Sequence, residues 1–243
     1  MIKKILLLTI SILTILLTVF FIYIYNDNYR ANKEVEQYLI SSQDVEVLAI
    51  SEGYYFNGPG ENTAIIFYPG AKVEYTAYAK LMYKIAENGN DCFLLKMPFN
   101  MAIFDTNKAD KIIDNYSYEN WYISGHSMGG TMACNYANNT KKKLKGVITL
   151  AAYPTQKISD NLEYYSFYGT EDLILNKEKY EKGQKLWPEN GKEYAIEGGN
   201  HSGFANYGKQ KGDGEAKIDQ EEQQNYVIQK LCDELERKEA YAE

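Results

Sequence analysis

Strand-like and helix-like segments alternate along most of this chain, and this alternation restricts the fold more than any other feature of the sequence. Strands are predicted at residues 63–68, 91–96, 121–124, 146–152, 162–168 and 193–197, and helices at residues 74–87, 105–115, 128–138, 176–186 and 219–239. Such alternation is typical of a mostly parallel sheet with helices on both faces. The predicted fold class is α/β, with one short strand pair at residues 45–56 before the first parallel strand.

The first 25 residues have a different composition. From Ile5 to Tyr25 the chain carries no charge and is almost wholly apolar, which is about the 20 residues that a helix needs to cross a bilayer. A cleaved signal peptide is the alternative, but its apolar core has only roughly 7–15 residues and ends at a small-residue cleavage site, which this sequence lacks. The sequence therefore predicts an N-terminal transmembrane helix over residues 1–25.

The charges beside this run predict its orientation and divide the chain into three parts. Lys3 and Lys4 precede the run, and positive charge beside a span tends to stay in the cytoplasm. We therefore expect a single-pass protein of the cell membrane with its folded part outside the cytoplasm, or a secreted protein if the segment is cleaved. Residues 26–44 are polar and are predicted to be a tether, and residues 45–243 form the predicted α/β domain.

Charge and cysteine usage exclude several classes of partner. The formal net charge is −7, and the only basic run is the short stretch at residues 141–143, so we expect no nucleic acid partner. Cys92, Cys134 and Cys232 lack metal-ligand spacing and do not form an even set, so they indicate neither a zinc site nor a disulfide framework. No metal and no cofactor is expected.

One motif stands where such folds bind their ligands. In parallel sheets, ligands lie beyond the carboxyl ends of the strands, and Gly125-His126-Ser127-Met128-Gly129 directly follows the predicted strand at 121–124 and precedes a predicted helix. A sharp strand-to-helix turn needs small flanking residues and presents its central serine above the sheet. Ser127 is therefore a candidate nucleophile, the alternative being an ordinary turn serine.

With this motif the chain resembles the α/β-hydrolase superfamily, whose catalytic residues follow in the order serine, acid, histidine. Asp172 and His201 come at the next two suitable strand exits, in that order. The resemblance covers roughly residues 45–240. It is nearest to the compact branch sometimes called fold-5, in which strand three ends in a Tyr-Pro-Gly-type segment, here Tyr68-Pro69-Gly70-Ala71-Lys72.

The resemblance implies a role for each residue. Ser127 would attack an acyl carbon, His201 would take and return its proton, and Asp172 would orient the imidazole. Glu171 is the alternative acid, and His126 is expected to pack beside the site rather than to act as the base. The oxyanion would be held by the N–H groups of Met128 and Ala71. The His-Gly common in the family's second oxyanion loop is replaced here by Pro69-Gly70, directly before Ala71.

Two further expectations concern access to the site. The apolar residues of the loop at 97–104 are a candidate substrate pocket, the alternative being a loop packed on the core: Met97, Phe99, Met101 and Phe104. Only a short loop separates the strand at 146–152 from the strand at 162–168. We therefore expect no large cap domain and an open site.

These features together predict a membrane-anchored serine hydrolase that contacts the membrane through its N-terminal helix. The expected reaction is that of a carboxylesterase, with an acyl-enzyme on Ser127 and a small-molecule or lipid-like acyl substrate. A thioesterase, a peptidase or an acyltransferase would use the same three residues, and a non-catalytic tethered binding protein of the same fold is the alternative of a different class.

Overall fold

A single eight-stranded sheet organises the protein in the computed structural model, which describes residues 2–26 and 28–240. The strands are β1 (Glu46–Ile50), β2 (Gly53–Asn57), β3 (Thr63–Tyr68), β4 (Asp91–Leu95), β5 (Asn120–His126), β6 (Gly146–Leu150), β7 (Glu163–Gly169) and β8 (Lys192–Ile196). The helices are α1 (Ile2–Asn26), α2 (Ala79–Glu87), α3 (Ala109–Asn115), α4 (Met128–Asn139), α5 (Lys177–Gln184) and α6 (Gln220–Ala240).

The strand order across the sheet is β1-β2-β4-β3-β5-β6-β7-β8. The first two strands form an antiparallel pair, and β2 pairs antiparallel with β4, whereas all pairs from β4 to β8 are parallel. Tyr68 at the end of β3 lies opposite Gly125 of β5, and His126 lies opposite Leu150 of β6. The register therefore brings the carboxyl ends of the central strands to one edge of the sheet.

The central strands are buried on both faces. Every residue of β3, β4 and β6 is buried, as is typical of parallel strands covered by helices on each side. Ile65 and Phe67 belong to one apolar cluster together with α2 and α6, while Ala64 and Ile66 belong to a second cluster together with α3 and α4. The predicted mostly parallel sheet with helices on both faces is confirmed.

The connection from β6 to β7 is short. It consists of residues 151–162, which contain no helix or strand. This connection is too short to contain a cap domain, so no inserted domain covers the carboxyl ends of β5 and β6 from the β6–β7 connection.

The N-terminal helix requires a correction. The chain forms α1 over Ile2–Asn26, and the side chains of residues 3–19 are exposed. A membrane-spanning helix needs about 20 consecutive apolar residues, and over the part of the chain that the structure describes no helix is long and apolar enough to cross a membrane. The prediction of an N-terminal transmembrane helix is wrong by this finding. The location outside the cytoplasm, which the same run of residues suggests, stays a prediction.

The segment after α1 packs against the domain, which differs from the polar tether expected for residues 26–44. Residues 28–35, which we call the strap, include an isolated parallel bridge between Tyr29 and Val73. Val35 is only 2% exposed and belongs to the same apolar cluster as α2 and α6. A 3-10 helix then covers Lys33–Leu39. The composition of the segment is polar, but its backbone groups and the buried side chain of Val35 contact residues that are distant in the sequence.

All three cysteines are buried and free. Cys92 lies in β4, Cys134 in α4 and Cys232 in α6. Burial raises the pKa of the Cys134 and Cys232 thiols to about 12 and raises the pKa of the Cys92 thiol as well. These side chains therefore act as small apolar residues of the core.

Candidate active site

Backbone strain is concentrated at the carboxyl edge of the sheet. The five non-glycine residues with a positive φ in the described chain all follow strands β3 to β6: Lys72, Phe99, Asn100, Ser127 and Ala151. Such conformations cost of order 1 kcal/mol or more each and persist where the surrounding structure enforces them, typically at functional sites. The strain therefore marks the same edge of the sheet as the sequence motif.

Ser127 occupies the sharp turn between β5 and α4, with φ 53° and ψ −123°. Its N–H donates to the Leu150 carbonyl at 2.9 Å, and its carbonyl accepts from Thr131 N at 3.1 Å. The turn is possible because Gly129 has no side chain: a Cβ there would lie 2.2 Å from the Tyr68 carbonyl oxygen. Close backbone contact between the end of β3 and the first turn of α4 thus accompanies the strained conformation of the serine.

His201 and Asp172 form a buried pair. The Nδ1 atom of His201 lies 2.8 Å from Oδ2 of Asp172, and each residue is 1% exposed. The other carboxylate oxygen of Asp172 accepts from the N–H groups of Ile174 and Leu175, each at 2.8 Å. A carboxylate fixed in this way takes the hydrogen bond from Nδ1 and leaves Nε2 of the neutral ring as a proton acceptor.

Ser127 and His201 line the same cavity, which has a volume of about 180 Å³. Its walls also include Met128 and Thr131 from the start of α4, Ala152 and Tyr153 after β6, and Ile174 and Leu175 after β7. The two residues reach this cavity from strands that are not neighbours, because β6 and β7 lie between β5 and β8. A small substrate group in the cavity would contact both.

Glu171, the alternative acid, has a different partner. Its Oε1 atom lies 2.6 Å from Nζ of Lys217 in an ion pair whose lysine side chain is mostly exposed. The backbone N–H of Glu171 donates to Gly199 O. The carboxylate that contacts His201 is therefore that of Asp172 and not that of Glu171.

His126 is equally buried but has neutral partners. Tyr78 Oη lies 2.8 Å from His126 Nδ1 and accepts from Gly70 N at 3.0 Å, while His126 Nε2 lies 3.1 Å from the His201 carbonyl oxygen. A carbonyl only accepts, so Nε2 carries the proton and Nδ1 accepts from the tyrosine hydroxyl. Burial, reinforced by the neighbouring His201, holds the pKa of His126 well below its ordinary value.

The backbone N–H groups of Ala71 and Met128, the two predicted oxyanion donors, have no acceptor within the described residues, and Ala71 is not part of the described wall of the Ser127 cavity. The neighbours of Ala71 are both engaged, since Gly70 N donates to Tyr78 Oη and Lys72 N donates to Asn100 O, whereas Ala71 N has no hydrogen bond there. Met128 N is equally without an acceptor, as expected for the first residue of a helix. Free donors of this kind are suited to hold an oxyanion. Met128 lines the cavity beside Ser127.

The candidate pocket residues from the loop at 97–104 do not lie in this cavity. Met97 is buried, whereas Phe99 and Phe104 are 51% and 53% exposed. The described wall of the Ser127 cavity includes none of the four residues Met97, Phe99, Met101 and Phe104. The strand order explains the difference, because β3 separates the end of β4 from the end of β5. Met97 and Phe99 instead line a second cavity of about 550 Å³ beside the strap.

Asp213 is a site residue that the sequence analysis did not identify. Its Oδ1 atom accepts from His201 N at 3.2 Å, and its Oδ2 atom accepts from Ser202 N at 2.8 Å and from the Ser202 hydroxyl at 2.9 Å. The carboxylate thereby holds the backbone of the turn that carries His201. Asp213 stands in a charged, glycine-rich stretch that reads as a surface loop, so its local sequence gives no signal for this role.

Metal ligands are not grouped anywhere in the described chain. Within residues 2–26 and 28–240, no set of three or more His, Cys, Asp and Glu side chains could hold a metal ion.

Several solved structures share this fold. Alpha/beta hydrolase domain-containing protein 10 from mouse is 13% identical, with a TM-score of 0.56 over 80% of this chain and 99% of that one. Est1E from Butyrivibrio proteoclasticus is 12% identical, with a TM-score of 0.53 over 79% of this chain and 99% of that one. An esterase of M. tuberculosis is 9% identical, with a TM-score of 0.58 over 84% of this chain and 96% of that one.

The sequence itself matches the family model described as "Alpha/beta hydrolase family" over residues 64–225. None of the curated proteins matches it. The matched range begins in β3 and extends into α6, so it contains Ser127, Asp172 and His201. This match confirms the resemblance and the enzyme class predicted from the sequence. The chain is a hydrolase that belongs to the Alpha/beta hydrolase family.

Proposed function

We propose that this hydrolase is a serine carboxylesterase that forms an acyl-enzyme on Ser127. The observation that carries the proposal is the buried His201–Asp172 hydrogen bond of 2.8 Å beside a cavity that His201 shares with Ser127. An imidazole that is held by a carboxylate and shares a cavity with a serine in a strained turn agrees with the arrangement that serine hydrolases use on unrelated folds. The similar structures named above include an esterase.

The reaction proceeds in two steps at these residues. In the first, Nε2 of His201 takes the proton of the Ser127 hydroxyl while the serine oxygen attacks the ester carbonyl, and Asp172 stabilises the resulting imidazolium. The negative charge on the carbonyl oxygen is held by Met128 N–H and Ala71 N–H. The alcohol leaves with the proton from His201. A water molecule then attacks the acyl-enzyme by the same route and releases the acid.

The size of the cavity favours a short acyl group. An apolar cavity of about 150 Å³ holds a benzene molecule, so the volume of about 180 Å³ beside Ser127 suits a group of about six non-hydrogen atoms. The wall includes the apolar side chains of Ala152, Ile174 and Leu175 in addition to its polar groups. We therefore expect a small-molecule ester with a short acyl chain, entering from the open edge of the sheet.

Labelling with a fluorophosphonate probe tests the nucleophile. Wild-type protein should react covalently with the probe, and Ser127→Ala should abolish labelling and lower kcat for p-nitrophenyl esters by about 10⁵-fold. Ser124→Ala is the matched control, because Ser124 is buried in the same strand three residues earlier and lies outside the cavity. Absence of labelling in folded wild-type protein, or equal labelling of Ser127→Ala, refutes the proposal.

Substrate comparison separates the carboxylesterase from the other reactions that an acyl-enzyme permits. We expect kcat/KM to be highest for acetyl to butyryl oxygen esters and to fall for longer acyl chains. Matched thioesters and amides measured on the same enzyme show whether a thioesterase or a peptidase is the better description, and added alcohols show whether the acyl group is transferred. Highest activity on a decanoyl ester would contradict the inference from the cavity volume.

A further inference from the structure

The strap contacts the loop that carries the second oxyanion donor. Tyr29 N donates to the Lys72 carbonyl at 2.7 Å, and Glu74 N donates to the Tyr29 carbonyl at 2.9 Å. Two residues further along the strap, Ala31 N donates to Oε2 of Glu74 at 3.1 Å. Three hydrogen bonds therefore connect the strap to residues 72–74, directly after Ala71.

Lys72 is the residue of this loop that needs such support. Its φ of 61° is left-handed, a conformation that costs a side-chain-bearing residue roughly 1–2 kcal/mol. Its N–H donates to Asn100 O and its carbonyl accepts from Tyr29 N, so both of its peptide groups are held from outside the loop. The Lys72 carbonyl lies in the same planar peptide group as the Val73 N–H, which donates to the Gly70 carbonyl at 3.3 Å, and that carbonyl lies in the same peptide group as the Ala71 N–H. Holding the Lys72 carbonyl therefore helps to fix the direction of the Ala71 N–H through the hydrogen bond from Val73 to Gly70.

The strap also contacts the segment after the histidine. Asn32 N donates to the Asn206 carbonyl at 2.8 Å, and the Asn206 side chain donates to Oε1 of Glu34 at 2.8 Å. The Tyr29 ring lies 5.4 Å from the ring of Tyr207, and its hydroxyl accepts from Lys211 N at 3.2 Å. The same short segment thus joins the loop after β3 to the chain that follows His201.

We propose that Tyr29 is a positioning residue of the active site, whose backbone N–H holds Lys72 and thereby keeps the Ala71 N–H directed at the oxyanion. This inference rests on the proposed esterase function, because it concerns the same oxyanion. It assigns to Tyr29 a part in positioning the active site, although this residue precedes the first strand of the sheet and lies outside residues 64–225 of the family match.

Removing the backbone N–H of residue 29 tests this assignment in the full chain. Proline has no backbone N–H, so Tyr29→Pro removes the donor to Lys72 O. We expect kcat to fall about 10-fold or more, since removing one oxyanion donor costs about 10²–10³-fold, with KM changed by less than about twofold. Arg30→Pro is the matched control, because Arg30 is exposed and its N–H has no hydrogen bond within the described residues. Its kcat should stay within about threefold of wild type.

The concentration of active sites, titrated with the fluorophosphonate probe, normalises each kcat for the folded fraction. A second pair covers the case in which Tyr29→Pro fails to fold. Glu74→Ala removes the acceptor of Ala31 N and should lower kcat, while Glu74→Gln keeps an acceptor oxygen and should restore it. Equal kcat for Tyr29→Pro and Arg30→Pro, or for the two Glu74 variants when Tyr29→Pro is unfolded, overturns the inference. If wild-type Ser127 is not labelled, the esterase proposal itself has failed.

Discussion

The two histidines of this protein lie in neighbouring turns, with ring centroids 4.5 Å apart, and they differ in the group that each ring contacts. Each residue is 1% exposed. His201 directs Nδ1 to the carboxylate of Asp172, whereas His126 directs Nδ1 to the hydroxyl of Tyr78 and Nε2 to a carbonyl. Burial and closeness to Ser127 are therefore shared, and the carboxylate is the difference.

This difference separates the chemical roles of two identical side chains. A buried imidazole is penalised for becoming positive, and only an adjacent negative charge offsets that penalty. His126 has no such charge among its contacts, and burial lowers its pKa. His201 has the carboxylate of Asp172 at hydrogen-bond distance. The comparison teaches that the group in contact with Nδ1, a carboxylate or a hydroxyl, decides which of the two histidines is suited to act as the base.

Exchange of each histidine should give the largest contrast. His201→Gln removes the proposed base, and we expect kcat/KM to fall by about 10⁵-fold, with labelling of Ser127 strongly slowed. His126→Gln keeps an amide donor for the His201 carbonyl and should retain activity within about 10-fold of wild type. Ester hydrolysis by both variants, measured at equal folded fraction, checks this. If His126→Gln were the more damaging change, the comparison would be reversed.

Removal of the carboxylate should have the next largest effect. Asp172→Asn leaves the geometry of the pair but no negative charge for the imidazolium, and we expect kcat to fall by about 10⁴-fold. Glu171→Gln is the matched control one residue away: it breaks only the ion pair with Lys217, and exposed pairs contribute little. Its activity should stay within about twofold of wild type. A larger loss in Glu171→Gln than in Asp172→Asn would assign the acid to Glu171.

The smallest expected effect is on stability and depends on pH. Folding keeps His126 neutral, while in the unfolded chain its ring takes a proton near its ordinary pKa of about 6.5. The unfolded state then binds more protons, so the contribution of His126 to stability is complete above about pH 6.5 and is lost as the pH falls below it. The slope reaches at most about 1.4 kcal/mol per pH unit.

Urea unfolding of wild type and His126→Gln at pH 7.5, 6.5, 5.5 and 4.5 measures this difference. The free energy of unfolding of the wild type should fall more steeply below pH 6.5 than that of the variant, while the two run parallel above it. Parallel curves over the whole range would mean that His126 takes up a proton in the folded state without cost, and the contrast with His201 would then lose its electrostatic basis.

The sequence predicted the sheet and the positions of the candidate catalytic residues because both are encoded locally. Alternating segments fix the order of strands and helices. Ser127 directly follows β5, and Asp172 and His201 lie in the loops that follow β7 and β8. Roles taken from the family order remain predictions, but the observed Asp172–His201 hydrogen bond agrees with them. The helix expected over residues 105–115 begins only at Ala109, and residues 106–108 form a turn before it.

Contacts between distant segments were not predictable in the same way. Asp213 and Tyr29 act through backbone groups of His201 and Lys72, and a hydrogen bond to a backbone group leaves no requirement on the partner's side chain. The loop at 97–104 lies apart from the Ser127 cavity because β3 lies between β4 and β5, an order that the sequence does not reveal. The apolar run at the N-terminus was misjudged from its composition alone.

The burial of the three cysteines makes the protein suited to site-specific attachment of a spectroscopic label. Cys92, Cys134 and Cys232 are all buried, and thiols with raised pKa values react slowly with maleimides. Leu173 directly follows Asp172 and is 68% exposed. A dye coupled to Leu173→Cys would therefore be attached at one position beside the catalytic cavity, where its fluorescence reports the arrival and departure of substrate without removal of any native residue from the core.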